Sequence, residues 1–214
     1  MSLTLHYHPL SSYCMKALIA LYETETPFER NLVDLSNPAE RAAFLALWPI
    51  GKFPVLRDDV ADRTIPESTI IIEYLAQHSP GKTELIPRDA DRARETRLRD
   101  RFFDLYVHAP MQKVVTDKLR PAGQHDPYGV AQAVAQIETA YAMIDAEAGA
   151  TPWAMGETFT LTDCAAAPAL YYASQVVPLG GHRNTAAYLG RLVERPSFAR
   201  VIAEAAPYRA LFPG

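Results

Sequence analysis

Two adjacent serines near the N-terminus lie where a hydroxyl group can act on a thiol or an anion. Ser11 and Ser12 are both suited to cap a helix, because the residues behind them carry an apolar pattern of helical spacing. That pattern is formed by Met15, Leu18, Ile19 and Tyr22. A helix N-terminus has unpaired N–H groups and partial positive charge. A hydroxyl at this position can therefore help to stabilise a negatively charged ligand atom.

A proline in the sequence Gly-Lys-Phe-Pro-Val-Leu marks a second candidate binding region. Pro54 lacks a backbone donor and keeps Phe53 extended, so a strand over 53–56 would begin with backbone groups that an extended peptide can pair with. Glu67 and Ser68 follow at the start of an apolar run that predicts another helix. The free N–H groups of that helix attract carboxylates, which makes this junction a candidate anion site.

Short strands and helices around these residues must hold them in place. Alternating apolar residues predict a first strand over 3–7 that ends at Pro9, followed by the helix behind the two serines. Further elements are predicted as a strand over 28–33, a helix over 38–48 capped by Ser36 or Asn37, and the strand over 53–56. The order is a β-α-β unit followed by a β-β-α unit, which is the thioredoxin-like arrangement. We expect this domain to cover residues 1–80.

The remainder is predicted to be an all-helical domain over 89–214, joined by a linker over 81–88 that Gly and Pro punctuate. Arginines between positions 92 and 101 alternate with acidic residues, so the first helix should be a solvated or dimer-facing element of mixed charge. Its apolar side is expected to be mostly core. The residues of that side are Leu98, Phe102, Leu105, Tyr106 and Ala109.

A turn into a buried helix is predicted further along the chain. Thr160 can cap a helix over 162–177, and Asp163 can reach back to it in a variant of the capping box. We therefore assign Asp163 to folding and not to catalysis. Pro168 predicts a kink in this helix, and Pro196 should start the last helix of the chain.

Composition argues against several classes of function. The chain has 214 residues, 49% of them hydrophobic, which is enough for a well-buried core. A net charge of −4 gives no excess of positive charge to bind nucleic acid or anionic lipid. No run approaches the roughly 18 apolar residues that a membrane span needs. The six histidines and two cysteines show neither metal-ligand spacing nor a disulfide framework. This spacing predicts a protein without a metal site. No export signal is evident, so we expect the protein to lie in the reducing cytoplasm.

The two candidate binding regions together resemble a known family. Gly51-Lys52-Phe53-Pro54-Val55-Leu56, followed by Glu67-Ser68-x-x-Ile-x-x-Tyr-Leu, resembles the glutathione-binding half of the cytosolic glutathione transferases. The pattern Pro-x-Ser-Ser-x-Cys is similar to their serine-using theta-, delta- and zeta-like classes. The capping motif at Thr160 extends the resemblance into the all-helical half. The resemblance implies a thioredoxin-like domain followed by an all-helical domain, with glutathione as co-substrate.

The resemblance also implies a role for each residue of the binding motif. The peptide bond before Pro54 is expected to be cis, and the backbone of Phe53 is expected to hydrogen-bond the cysteinyl part of glutathione. Glu67 and Ser68 are expected to hold the γ-glutamyl end. Lys52 is expected to help in holding the tripeptide.

Ser11 is the residue expected to activate the thiol of glutathione. The tetrad Ser11-Ser12-Tyr13-Cys14 occupies the register of the Cys-Pro-Tyr-Cys motif of glutaredoxins, with serine in place of the first cysteine. Serine cannot exchange disulfides, but with the helix N-terminus it can lower the pKa of a bound thiol by about two units. Ser12 and Tyr7 remain alternative donors. Cys14 is expected to be a small buried hydrophobe, with a redox role as the alternative.

The activity implied by the resemblance is that of a glutathione S-transferase, in which the thiolate attacks an electrophilic small molecule, as in detoxification. Leu10, Tyr106 and Met111 are predicted to line the pocket for that molecule. A homodimer is expected through the charged helix and the edge of the first domain. The alternatives are a glutathione-dependent isomerase, a thiol-exchange enzyme, or an inactive interaction protein. Tyr13 and Met15 depart from the pattern of related classes, so the subclass stays open.

Overall fold

The computed structural model describes residues 3–79 and 81–212. In the N-terminal half, four short strands and three helices follow one another in the predicted order. They are β1 (Leu3–Tyr7), α1 (Ser12–Glu23), β2 (Glu29–Leu32), α2 (Pro38–Leu47), β3 (Val55–Asp58), β4 (Arg63–Pro66) and α3 (Ser68–His78). The predicted boundaries agree to within two residues. Asn37, and not Ser36, caps α2, because its side chain accepts the N–H groups of Ala39 and Glu40.

The strands form one mixed sheet in the order β2-β1-β3-β4. β1 runs parallel to β2 and antiparallel to β3, and β3 runs antiparallel to β4. Val55 pairs with His6 on one side and with Pro66 on the other. The C-terminal ends of β1 and β4 and the N-terminal end of β3 therefore lie side by side at one end of the sheet.

The C-terminal half is helical throughout its regular elements. These are α4 (Ala90–Phe102), a π-helical turn η1 (Phe103–His108), α5 (Ala109–Lys118), α6 (Pro127–Glu147), α7 (Leu161–Val176), α8 (Arg183–Glu194), α9 (Pro196–Ala205) and a final 3₁₀ helix (Ala206–Leu211). Among the described residues between α3 and α4, none belongs to a helix or strand. The predicted linker over 81–88 falls in this interval, while residue 80 lies outside the described residues.

The predicted capping motif of α7 is present and buried. Thr160 and Asp163 form a capping box, and Asp163 accepts the N–H group of Thr160 at 2.8 Å. The same carboxylate accepts the N–H group of Ala154 at 2.9 Å and the hydroxyl of Tyr188 at 2.6 Å. Asp163 thus joins the start of α7 to the preceding loop and to α8, which confirms its assignment to folding.

The prediction that the apolar side of this helical segment is mostly core was wrong. Leu98, Leu105 and Tyr106 are exposed, and Phe102 is only half-buried. The buried face of α4 and η1 instead includes Asp100 and Asp104 as well as apolar residues. Two causes explain the difference. η1 inserts an extra residue into the helical turn and changes which side chains face inward, and a buried lysine on α1 pairs with both aspartates.

Candidate functional site

Three chain segments with predicted binding residues meet at one end of the sheet. The register that pairs His6, Val55 and Pro66 brings together the loop after β1, the residues before β3 and the residues after β4. These segments contain the serine pair, the Phe53-Pro54 bond and the Glu67-Ser68 junction, respectively. Residues far apart in the sequence are thus placed around one surface.

The Phe53-Pro54 peptide bond is cis, as predicted. Since β3 begins only at Val55, the backbone of Phe53 lies outside the strand ladder. The Phe53 ring is half-buried against the rings of His8 and Phe44, each with a centroid distance of 6.0 Å. The side chain is held by packing, while the backbone of the same residue is outside the sheet pairing.

The start of α3 has the features of an anion site. Glu67 precedes the helix with a φ of 71°, which a non-glycine residue adopts at a cost of about 1 to 3 kcal/mol. Among the described residues, no side chain caps the first turn of α3, so its N–H groups are not satisfied by a carboxylate or hydroxyl of that part of the chain. Ser68 is buried at the first helical position, whereas Glu67 and Lys52 are exposed.

The three candidate activating hydroxyls have different environments. Ser11 caps α1, where its Oγ accepts the N–H group of Cys14 at 3.4 Å, and it is partly exposed. Ser12 is buried, and its hydroxyl is hydrogen-bonded to Nε2 of His108. Tyr7 is also buried, and burial raises the pKa of its phenol. Of the three residues, only Ser11 is a partly exposed residue at a helix N-terminus.

Cys14 is fully buried in α1. Burial raises the pKa of its thiol to about 12, although hydrogen bonds from the Ser11 side chain and the His8 backbone oppose that rise. A thiol of that pKa supplies almost no thiolate near neutral pH. The structure therefore confirms Cys14 as a small buried hydrophobe and gives no support to a redox role.

The three residues predicted to line the electrophile pocket lie in different surroundings. Leu10 lines a cavity together with Tyr172 and Phe212, next to Ser11 in the chain. Tyr106 lines a separate cavity of about 450 Å³ between α4 and α6, to which none of the predicted glutathione-binding residues contributes. Met111 is buried in the core. The structure does not bring these residues together around one described cavity.

Two polar features of the site region were missed from the sequence. His108, at the end of η1, is buried beside Ser12 and Tyr13. Burial, and secondly the charge of Lys16, lower the pKa of this histidine to about 4, so its ring is neutral near pH 7. Lys16 itself is buried and paired with Asp100 and Asp104. The sequence does contain a signal for each feature: Lys16 interrupts the apolar run of α1, and His108 interrupts the apolar pattern around η1.

Over 3–79 and 81–212, no group of three or more His, Cys, Asp or Glu side chains is arranged to hold a metal ion. In this part of the chain, no helix is both long and apolar enough to span a membrane. The sheet end described above is where the segments that carry Ser11, Phe53-Pro54 and Glu67-Ser68 gather.

Comparison with known proteins identifies the family. Residues 5–83 match the family model described as glutathione S-transferase, N-terminal domain, and residues 127–203 match the model described as glutathione S-transferase, C-terminal domain. The chain belongs to the glutathione S-transferase family. The assignment confirms the predicted fold, a thioredoxin-like N-terminal half followed by a helical C-terminal half.

Relatives of this glutathione S-transferase family member span most of its length. Glutathione S-transferase GstB of Escherichia coli is 29% identical over 194 residues, which cover 90% of this chain and 93% of that protein. A stringent starvation protein A homolog of Haemophilus influenzae is 28% identical over 207 residues, covering 91% and 87%. A glutathione S-transferase structure from Methylobacillus flagellatus, with glutathione bound, is 25% identical with a TM-score of 0.85 and coverage of 94% and 98%.

Proposed function

We propose that this protein is a glutathione transferase in which Ser11 stabilises the thiolate of bound glutathione for attack on an electrophilic small molecule. The observation that carries the proposal is the sheet end where Ser11, the cis Phe53-Pro54 bond and the uncapped start of α3 lie around one surface. The bound glutathione of the Methylobacillus flagellatus structure and the transferase names of the relatives support it.

Each part of the tripeptide has a matching group in this arrangement. The backbone of Phe53, next to Pro54, pairs with the cysteinyl residue, as an added strand pairs with a sheet edge. The γ-glutamyl carboxylate binds at the start of α3, where Ser68 and free N–H groups favour negative charge. Glu67 holds the γ-glutamyl amine, and Lys52 approaches the tripeptide from its exposed position.

The proposed chemistry needs only the thiol and its environment. The thiol proton leaves to solvent, and the Ser11 hydroxyl and the N-terminus of α1 stabilise the thiolate that remains. The sulfur electron pair then forms a carbon–sulfur bond. The electrophile either expels a leaving group with its bonding pair or takes up a proton. Leu10, adjacent to Ser11, is our candidate for the pocket wall near the reacting sulfur, and Tyr106 and Met111 remain predictions of the same kind.

Binding of glutathione tests the proposal directly. We expect calorimetry to detect one glutathione site in the wild-type protein and Ser68→Ala to weaken it about tenfold to a hundredfold, because a hydrogen bond to a carboxylate is lost. Ser79→Ala, at the opposite end of α3, is the matched control and should leave affinity unchanged. Absence of binding to the wild-type protein would contradict the proposal and favour an interaction protein, a possibility consistent with the stringent starvation protein relative.

We also propose a homodimer formed through α4 and the adjacent edge of the N-terminal half. Ile70 on α3 and Leu98 on α4 are 52% and 62% exposed. Arg97 and Glu73 join these two helices with a contact of 2.9 Å. A second copy of the chain would cover this surface, because a twofold interface buries the same patch on both subunits.

Leu98→Glu is expected to convert this dimer to monomers. The substitution would bury like charges on both sides of the twofold interface, so the dimer dissociation constant should rise by about thirtyfold or more. Sedimentation velocity over a concentration series measures the change. Tyr128→Glu, at the exposed start of α6, is the control and should remain dimeric. A wild-type protein that sediments as a monomer at tens of micromolar would show the proposed interface to be wrong.

A further inference from the structure

The π-helical turn η1 of the C-terminal half contacts the first two turns of α1. At its end, Nε2 of His108 is hydrogen-bonded to the hydroxyl of Ser12, the first residue of α1. The rings of His108 and Tyr13 meet edge to face with centroids 4.2 Å apart. Earlier in η1, Asp104 forms an ion pair with Lys16 at 2.8 Å. Two residues of one unusual turn thus hold the helix that Ser11 caps.

The contact between His108 and Ser12 is isolated from solvent. His108 is 4% exposed, and Ser12 is buried as well. Among the described residues, Nδ1 of His108 has no hydrogen-bond partner. The Ser12 hydroxyl is therefore the single hydrogen-bond partner of this imidazole within the described residues. If this hydrogen bond breaks, the buried imidazole is left without a partner and without water, which costs the free energy of its desolvation. The hydrogen-bonded arrangement of Ser12 and His108 is therefore strongly favoured.

The position of the pair connects it to the proposed activating group. Ser12 directly follows Ser11, and the Ser11 Oγ already accepts the N–H group of Cys14 in the same turn. Any rotation of this turn would move the Ser11 hydroxyl and the first N–H groups of α1 together. Charge stabilisation by fixed donors depends on such orientation, since donors that must reorient stabilise an anion less.

We infer that His108 is a positioning residue for thiol activation, which fixes the first turn of α1 through Ser12 and so directs the Ser11 hydroxyl toward the sulfur of glutathione. The inference rests on the proposed function. His108 needs no contact with glutathione in this role. The π turn supplies the geometry, because an inserted residue shifts the side chains that follow it and brings His108 against α1.

A double-mutant cycle on Ser12 and His108 tests the inference. The pKa of the bound glutathione thiol is measured from thiolate ultraviolet absorbance for the wild-type protein, Ser12→Ala, His108→Leu and the double variant. Each single substitution is expected to raise the thiol pKa by about one unit, a tenfold lower thiolate fraction below the pKa. The double variant should show no further rise, because either substitution breaks the same contact. At a pH below the pKa of the bound thiol, the glutathione dissociation constant should change less than about threefold, since the protonated thiol does not use the activating groups and the carboxylate site on α3 is untouched.

Two further variants separate positioning from a general structural role. His108→Gln keeps a donor and an acceptor at about the reach of Nε2, so it can bond the Ser12 hydroxyl in either direction and is expected to restore most of the thiol pKa shift. His125→Gln alters another histidine of the helical half. His125 lies between α5 and α6 and contacts Asp117, so this substitution should leave the pKa of the bound thiol unchanged. If His108→Leu fails to fold, the thiol pKa values of Ser12→Ala and His108→Gln are compared instead, and the pKa is expected to rise in the first variant and to stay close to the wild-type value in the second.

The outcomes that overturn the inference differ from those that overturn the proposed function. A wild-type protein that lowers the thiol pKa while Ser12→Ala and His108→Leu leave it unchanged would remove the positioning role and keep the transferase. A loss of affinity for the protonated thiol, measured below its pKa, that accompanies the loss of the pKa shift would also contradict it, as would additive effects in the double variant, because both indicate general loosening. A wild-type protein that binds glutathione with no change in thiol pKa would instead overturn the proposed activation itself.

Discussion

Replacing Ser11 by alanine is expected to raise the pKa of the bound glutathione thiol by about one to two units and to lower kcat/KM by about tenfold to a hundredfold. The reason is the loss of a hydrogen bond to a charged sulfur, which is stronger than a bond between neutral groups. The N-terminus of α1 remains, so part of the pKa shift should persist. The titration of thiolate absorbance with bound glutathione measures this change.

Controls for Ser11→Ala follow from its second role as a helix cap. Loss of the bond to the Cys14 N–H group should reduce the free energy of unfolding by about 1 kcal/mol, so the titration is made well below the unfolding temperature. Ser11→Thr keeps a hydroxyl and a cap and is expected to retain most of the pKa shift. Cys14→Ala should leave the thiol pKa unchanged, because Cys14 is buried and protonated. An unchanged thiol pKa in Ser11→Ala would move the assignment to Tyr7 or Ser12.

Replacing Lys16 by methionine is expected to lower the free energy of unfolding by about 3 to 5 kcal/mol, because it leaves buried carboxylates without their cation. Lys16 is 1% exposed, and its ammonium lies 2.5 Å from Asp100 Oδ1 and 2.8 Å from Asp104 Oδ2. Among the described residues, Asp100 Oδ1 has no hydrogen-bond partner, so its contact with the ammonium is mainly Coulombic. The Lys16 ammonium also donates to Thr69 Oγ1 at 2.9 Å, near the start of α3.

The balance of charge at Asp104 explains why Lys16→Met should lose so much of the free energy of unfolding. Burial raises the pKa of Asp104, and the Lys16 ammonium is the main influence that opposes the rise. Without Lys16, the one cation that still pairs with the Asp104 carboxylate within the described residues is the partly exposed Arg101 guanidinium. One or both aspartates would then have to take up a proton or remain charged in a dry environment, and either change destabilises the folded state.

Urea unfolding monitored by circular dichroism measures this prediction. Lys82→Met is the matched control, because Lys82 is 77% exposed and its pair with Glu25 should contribute no more than about 1 kcal/mol. A Lys16→Met protein that unfolds at the wild-type urea concentration would show that the buried ion pairs contribute no net stability. Asp104→Asn is informative in addition, since it removes one charge of the cluster and keeps an acceptor for Lys16.

Features that depend on a few neighbouring residues were determined by the sequence itself. Ser11 and Asn37 at helix starts, and the capping box of Thr160 with Asp163, satisfy N–H groups within three positions of themselves. Alternation of apolar residues set the strand β1. The cis bond before Pro54 was predicted from the resemblance of a short motif to a known family, because the local preference of an X–Pro bond alone favours trans.

The tertiary structure decided which distant residues share one surface or one contact. Ser12 and His108 are 96 positions apart, and no spacing rule relates them. The exposed apolar side of α4 was predicted as core because helical periodicity does not reveal an inserted residue or a buried aspartate paired with Lys16 from another element. Sequence patterns report local periodicity and capping, whereas the choice of partner for a buried polar group is made when helices pack, since only packing removes water from both groups at once.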